Sequence, residues 1–170
     1  MNRDIKVASG FQAMQDVLKA FTSHNMGNKN CYSAQNSLVD PSMSTAGDYV
    51  VGGAVKTKAA ASSLFALQDQ SIPKGGGCNF VLCLNAAGSG IGFKTNVLTS
   101  AQVSAAGAIA SLLTDANVEW PAIDMDTYCP VGIYTVIAGS VSHVSGSSSF
   151  SLVDSAGGSH LFTQIANYVK

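Results

Sequence analysis

The sequence predicts a mainly β protein, an antiparallel sandwich or barrel of jelly-roll-like kind carrying an N-terminal α-helix and an extended arm. Three observations predict it. In residues 78–85, Phe80, Leu82 and Leu84 alternate with Val81 and Cys83, so that a strand here would be apolar on both faces. Residues 130–137, Pro-Val-Gly-Ile-Tyr-Thr-Val-Ile, are dense in β-branched and aromatic side chains. Between such runs lie Gly- and Ser-rich turns, in a chain with 17 glycines and only 11% charged residues. A length of 170 residues gives one domain with a hydrophobic core and room for an appended segment.

The first element spans residues 5–24. Val7, Phe11, Met14, Leu18 and Phe21 follow one another at intervals of four, three, four and three, which lines a narrow stripe on a helix. The stripe is a candidate oligomer interface, although an amphipathic helix lying on its own core would show the same spacing. It covers about three turns, too few for an independent coiled coil. Residues 27–47 are rich in Asn, Ser, Met and Gly and contain Pro41, so they read as an extended arm that gains order on a neighbour. Residues 1–48 thus form an attachment and oligomerisation segment, and residues 49–170 a β domain.

Within that domain Gly52 and Gly53 mark a bulge or tight bend. Lys56 and Lys58 then share one face of a strand and Val55 and Thr57 the other, the alternation of a half-buried strand. The strand at 78–85 belongs between two covers, and residues 88–92 form the next turn. Residues 101–114 have roughly helical spacing around Val103, Ile109 and Leu112, weakened by Gly107, and predict one short helix. Residues 120–123 form a rigid connector. After the strand at 130–137, residues 141–144 and 149–153 read as a hairpin, and the last ten residues fit either a strand or a helix capped by Ser159.

Charge narrows the partners. Residues 1–94 hold eight basic and five acidic groups, residues 95–170 one and five. The two parts are suited to meet head to tail across subunits or to face different partners, whereas nucleic acid is not expected, because the basic groups before Cys31 are scattered among Asp4 and Asp16. A chain with so few charges is one whose surface neighbours cover, or else a small-residue β protein kept soluble by Ser, Thr, Asn and Gln. The first residues lack an apolar leader and no stretch is long enough to span a membrane, which predicts synthesis in a cytoplasm and no membrane partner. Cys31, Cys78, Cys83 and Cys129 show no CxxC pairing, and Cys78 and Cys83 fall on opposite faces of their strand, so buried free thiols are expected.

Gly88-Ser-Gly-Ile-Gly-Phe-Lys94-Thr95 copies the phosphate-binding loop except at Phe93, which stands where the second glycine should turn the backbone; a glycine-rich β-turn suffices. Asp115, Glu119, Asp124 and Asp126 lack the glycine and closing Glu of a calcium loop and read as a solvated acidic connector. The serines around His143 have no nucleophile elbow. No catalytic residue, cofactor or metal is therefore expected, nor an enzyme.

From Tyr49 onwards the order of features resembles the β domain of bacteriophage virion surface proteins of the capsid-decoration and head-fibre kind. The residues carrying the resemblance are Tyr49-Val-Val-Gly-Gly-Ala-Val-Lys-Thr-Lys-Ala-Ala, Ile72-Pro with the strand ending in Asn85-Ala-Ala-Gly, Trp120-Pro-Ala, and Pro130-Val-Gly-Ile-Tyr-Thr-Val. The four cysteines and the Asn-rich arm depart from that pattern. The resemblance implies a homotrimer located on the virion, with the major capsid protein or other virion proteins as partners. The alternative it leaves is a receptor- or carbohydrate-binding module of a tail or fibre, which needs Trp120, Tyr128 and Tyr134 on one exposed face.

Overall fold

A computed structural model of the chain describes residues 32–33, 40–52, 54–146 and 156–164. The strands are β1 (Tyr32–Ser33), β2 (Ser42–Met43), β3 (Gly47–Val51), β4 (Ala54–Lys58), β5 (Phe65–Leu67), β6 (Gln70–Ile72), β7 (Gly77–Asn85), β8 (Gly90–Lys94), β9 (Tyr128–Ile137), β10 (His143–Ser145) and β11 (Ser159–Gln164). Helix α1 (Ser100–Ala106) and a 3-10 turn (Ile109–Leu113) lie between β8 and β9. The fold is mainly β and sandwich-like, as its sequence predicts. The predicted N-terminal helix lies outside the described residues.

β7 is the axis of the molecule. The main sheet runs in the order β11-β9-β7-β8-β5, with every pair antiparallel except β5 and β8, which are parallel. On one face Cys78, Phe80, Leu82 and Leu84 meet Tyr134 and Val136 of β9, Phe65 of the sheet's edge strand β5, and a second layer that supplies Met43, Tyr49, Val51 and Ile72. Tyr134 is fully buried and stacks on Phe162 at 4.7 Å and Phe80 at 6.0 Å. On the other face Val81 and Cys83 are covered by Phe93, Trp120, Ile123 and Tyr128, from β8, the long connection and the first residue of β9. Both faces of β7 are thus buried, as the double alternation requires, and each Phe or Leu so enclosed contributes about 1.5–3 kcal/mol.

A bulge in β9 keeps this division consistent. Leu82 pairs with Gly132 but Cys83 with Pro130, so Val131 is the extra residue. Cys129 before the bulge, Val131 in it, and Tyr134 and Val136 after it therefore face the same core although their parity differs. Pro130, which lacks a backbone donor, falls beside the bulge, where a strand tolerates it.

Asn79 ties the layers together. Its side-chain Nδ2 donates to the Leu112 carbonyl at 3.3 Å, and its Oδ1 accepts from the Thr135 hydroxyl at 2.6 Å. Its backbone N–H donates to Thr95 Oγ1 at 3.0 Å, and its carbonyl accepts from the Thr95 N–H at 2.9 Å. All three polar residues are buried, so these bonds offset the cost of removing them from water.

Several elements differ from expectation. Gly90 and Gly92 belong to β8 rather than to a turn: a Cβ on Gly90 would stand 2.6 Å from the Leu64 carbonyl oxygen, and one on Gly92 would collide with the Leu67 side chain. Glycine here permits close approach of β5. The predicted helix stops at Gly107, whose φ of 76° caps α1, and the chain resumes as the 3-10 turn. β10 pairs with β6, and residues 149–153 of the expected hairpin lie outside the described residues. The chain end forms strand β11 as far as Gln164. Residues 40–43, read from sequence as part of the arm, pack into the domain: Pro41, Ser42 and Met43 are buried, and Asp40 Oδ1 accepts from the Leu67 N–H at 3.1 Å.

Candidate functional site

Val7, Phe11, Met14, Leu18 and Phe21, the predicted oligomer interface, lie outside the described residues. The surface feature that stands out among the described ones is the β3–β4 ribbon. Val51 pairs with Ala54, leaving two residues for its turn, and Gly52 takes the positive φ of 56° that such a turn demands. β3 is anchored from beneath. Tyr49 and Val51 are buried, and the Tyr49 hydroxyl donates to the Asn85 carbonyl at 2.9 Å. Burial, then the nearby Cys129, holds the Tyr49 hydroxyl above its usual pKa.

β4 is not half-buried as its alternation predicts. Ala54, Val55, Lys56 and Thr57 are all exposed, Val55 by 63%, because among the described residues β4 pairs only with β3 and no layer covers its outer face. Lys58 turns inward along the β7–β8 turn, its Cδ 3.3 Å from where a Cβ on Gly88 would lie. The Thr57 hydroxyl donates to Asp48 across the ribbon. Thus an anchored inner strand presents an open outer one with two cations.

The acidic connector is built of short local turns. Asp115 Oδ1 accepts from both the backbone N–H and the Nδ2 of Asn117 at 2.8 Å. Asp124 accepts from the Thr127 hydroxyl at 2.6 Å and from the Asp126 N–H at 3.1 Å; these bonds, Thr127 first, hold its carboxyl below the usual range. Glu119 and Asp126 are exposed. Among the described residues no group of three or more His, Cys, Asp or Glu is placed to hold a metal ion.

The remaining motifs resolve structurally. In a phosphate-binding loop the lysine faces the ligand from a loop that opens a helix. Here Lys94 ends strand β8 and its Nζ donates to the Asp69 carbonyl at 2.8 Å, while the Gly88 turn is closed by Asn85 Oδ1, which accepts from Ala87 and Ser89 N–H at 3.0 Å each. His143 is 2% exposed, neither ring nitrogen has a hydrogen-bond partner among the described residues, and burial pushes its pKa down. Nearby Ser145 donates its hydroxyl to the Gln68 carbonyl at 2.7 Å.

Cys78, Cys83 and Cys129 are free and buried, with Cys78 and Cys83 on opposite faces of β7 as expected. Burial raises all three thiols, Cys78 to about 11. Cys31 lies outside the described residues.

The three aromatics named for ligand binding are not gathered. Tyr134 is sealed in the main core, whereas Trp120 and Tyr128 are half-buried on the opposite face, where Phe93 meets Tyr128 edge-on at 5.1 Å. The open edge of β4 escaped the sequence reading, whose only signal was that Lys56 and Lys58 sit on a strand short enough to be an edge. No helix among the described residues is long and apolar enough to cross a membrane. Comparisons with family models, with curated proteins and with solved structures give no match for this chain.

Proposed function

We propose that this chain is a self-associating structural protein of a bacteriophage virion that decorates or stabilises the capsid surface, as a homotrimer. The observation that carries the reading is the 11% charge content of a chain with 46% hydrophobic residues. Surfaces so poor in charge are suited to burial against neighbours. The heptad-spaced stripe supplies a seam for a second and third copy, and the β domain's resemblance to head-decoration and fibre proteins supplies the particle. Its partners are then further copies of itself and the major capsid protein or another virion protein, and its location is the virion after synthesis in the host cytoplasm.

Light scattering on the purified full chain tests self-association. A trimer at micromolar concentration is expected, and Phe11→Ser with Leu18→Ser weakens it if the stripe is the seam. A folded monomer of 17.4 kDa at that concentration refutes the oligomer. Particles recovered from the cells that make the chain test the location: the chain copurifies with them at a fixed copy number, and its absence from them rejects the virion.

A further inference from the structure

We infer that the open edge of β4 is a contact between two copies of this chain, which pair β4 with β4 antiparallel about a twofold axis at Val55. The hydrogen-bonding phase of the ribbon leads there. Val51 and Ala54, which flank the two-residue turn, are the hydrogen-bonded pair that closes the ribbon, and Val50 with Val55 is the next pair along. Val50 and Val55 are therefore a non-hydrogen-bonded pair, so the N–H and C=O of Val55 point to the open side. Two such edges centred on Val55 exchange both bonds and extend the ribbon to four strands, β3-β4-β4-β3.

Side chains favour this register. Edge lysines usually prevent pairing by meeting like charge. Centred on Val55, Lys56 instead faces Ala54 of the second copy, and Lys58 faces its Gly52 turn. That turn abuts the acidic connector, the Asp126 carbonyl oxygen lying 3.6 Å from where a Cβ on Gly52 would stand. Lys58, which in the single copy lies along its own Gly88 turn, reaches the Asp126 turn of the other copy once its side chain swings to that side, twice over by symmetry. The described residues beyond Lys94 hold Asp115, Glu119, Asp124 and Asp126 and no Lys or Arg, so this flank offers only negative charge to an incoming cation. Val55, exposed by 63%, covers its own symmetry mate. The contact is separate from the N-terminal seam and joins one trimer to another, so that light scattering shows a trimer where only the seam is made and a multiple of it where β4 also pairs. Its loss leaves the virion reading standing, and failure to find the chain on particles leaves this contact standing.

The test uses the full chain with Cys31→Ser, so that the remaining described thiols are buried, and a short bis-maleimide. Val55→Cys should give a covalent dimer at least tenfold above Thr114→Cys, an exposed control away from β4. Lys58→Glu and Asp126→Lys, each added to Val55→Cys, should lower that yield severalfold with far-UV circular dichroism unchanged. Mixing the two should restore it, because each reversed charge then meets its complement. Cross-linking of Val55→Cys no greater than the control, or a mixture no better than its components, overturns the inference.

Discussion

Replacing Asn79 with Ala should cost about 3–5 kcal/mol, and the reasoning behind that figure is local. The change deletes two side-chain hydrogen bonds, from the Thr135 hydroxyl at 2.6 Å and to the Leu112 carbonyl at 3.3 Å, in a place with no water to replace them. Stranding a buried hydroxyl costs about 1–3 kcal/mol and a weak carbonyl bond adds about 1. The lost volume adds about 1 more. Against a typical total of about 5–15 kcal/mol this is a large fraction. Urea unfolding followed by Trp120 fluorescence and far-UV circular dichroism measures it. Thr135→Val should cost about 1–2 kcal/mol, and the double variant less than the sum by about 1, since both singles break the same bond. A loss below about 1 kcal/mol for Asn79→Ala, or strict additivity, refutes the role of Asn79 as the tie between sheet and cover.

Two further outcomes follow from the buried groups. His143 has a depressed folded pKa, so its contribution is complete above the unfolded value of about 6.5 and is lost as pH falls below it, by up to about 1.4 kcal/mol per pH unit. Stability measured from pH 7.5 to 5 should fall more steeply for the wild type than for His143→Leu; equal slopes contradict the assignment. Cys78, Cys83 and Cys129 should resist a thiol reagent in the native protein and react in urea, with a melting midpoint unchanged by reductant. A midpoint that drops sharply on reduction would reveal a disulfide.

What the sequence disclosed follows from how each signal arises. Alternation is local, so β7 and β9 were legible from their own side chains, including the burial of β7 on both faces. The bulge at Val131 was not, because it exists only relative to a partner strand. Gly90 and Gly92 looked like turn residues since glycine's usual cause is a turn; here the cause is the approach of β5, which is tertiary. Short strands such as β5, β6 and β8 offer too few residues to show a period. β4 was correctly read as a strand, but its burial depended on a covering layer that the fold does not provide. Asn79, a polar residue set in an apolar run, was a visible sign of an internal hydrogen-bond node.

The most direct measurement of the proposed virion role is binding of the chain to bare particles, full length against a chain beginning at Asp40. The cut falls there because Asp40, Ser42 and Met43 belong to the packed domain. The full chain should bind saturably at a fixed number of copies per particle, and the shortened one should stay folded but unbound. Failure of the full chain to bind contradicts the virion assignment, and binding of the shortened chain at full occupancy would move the attachment surface from the N-terminal segment onto the β domain.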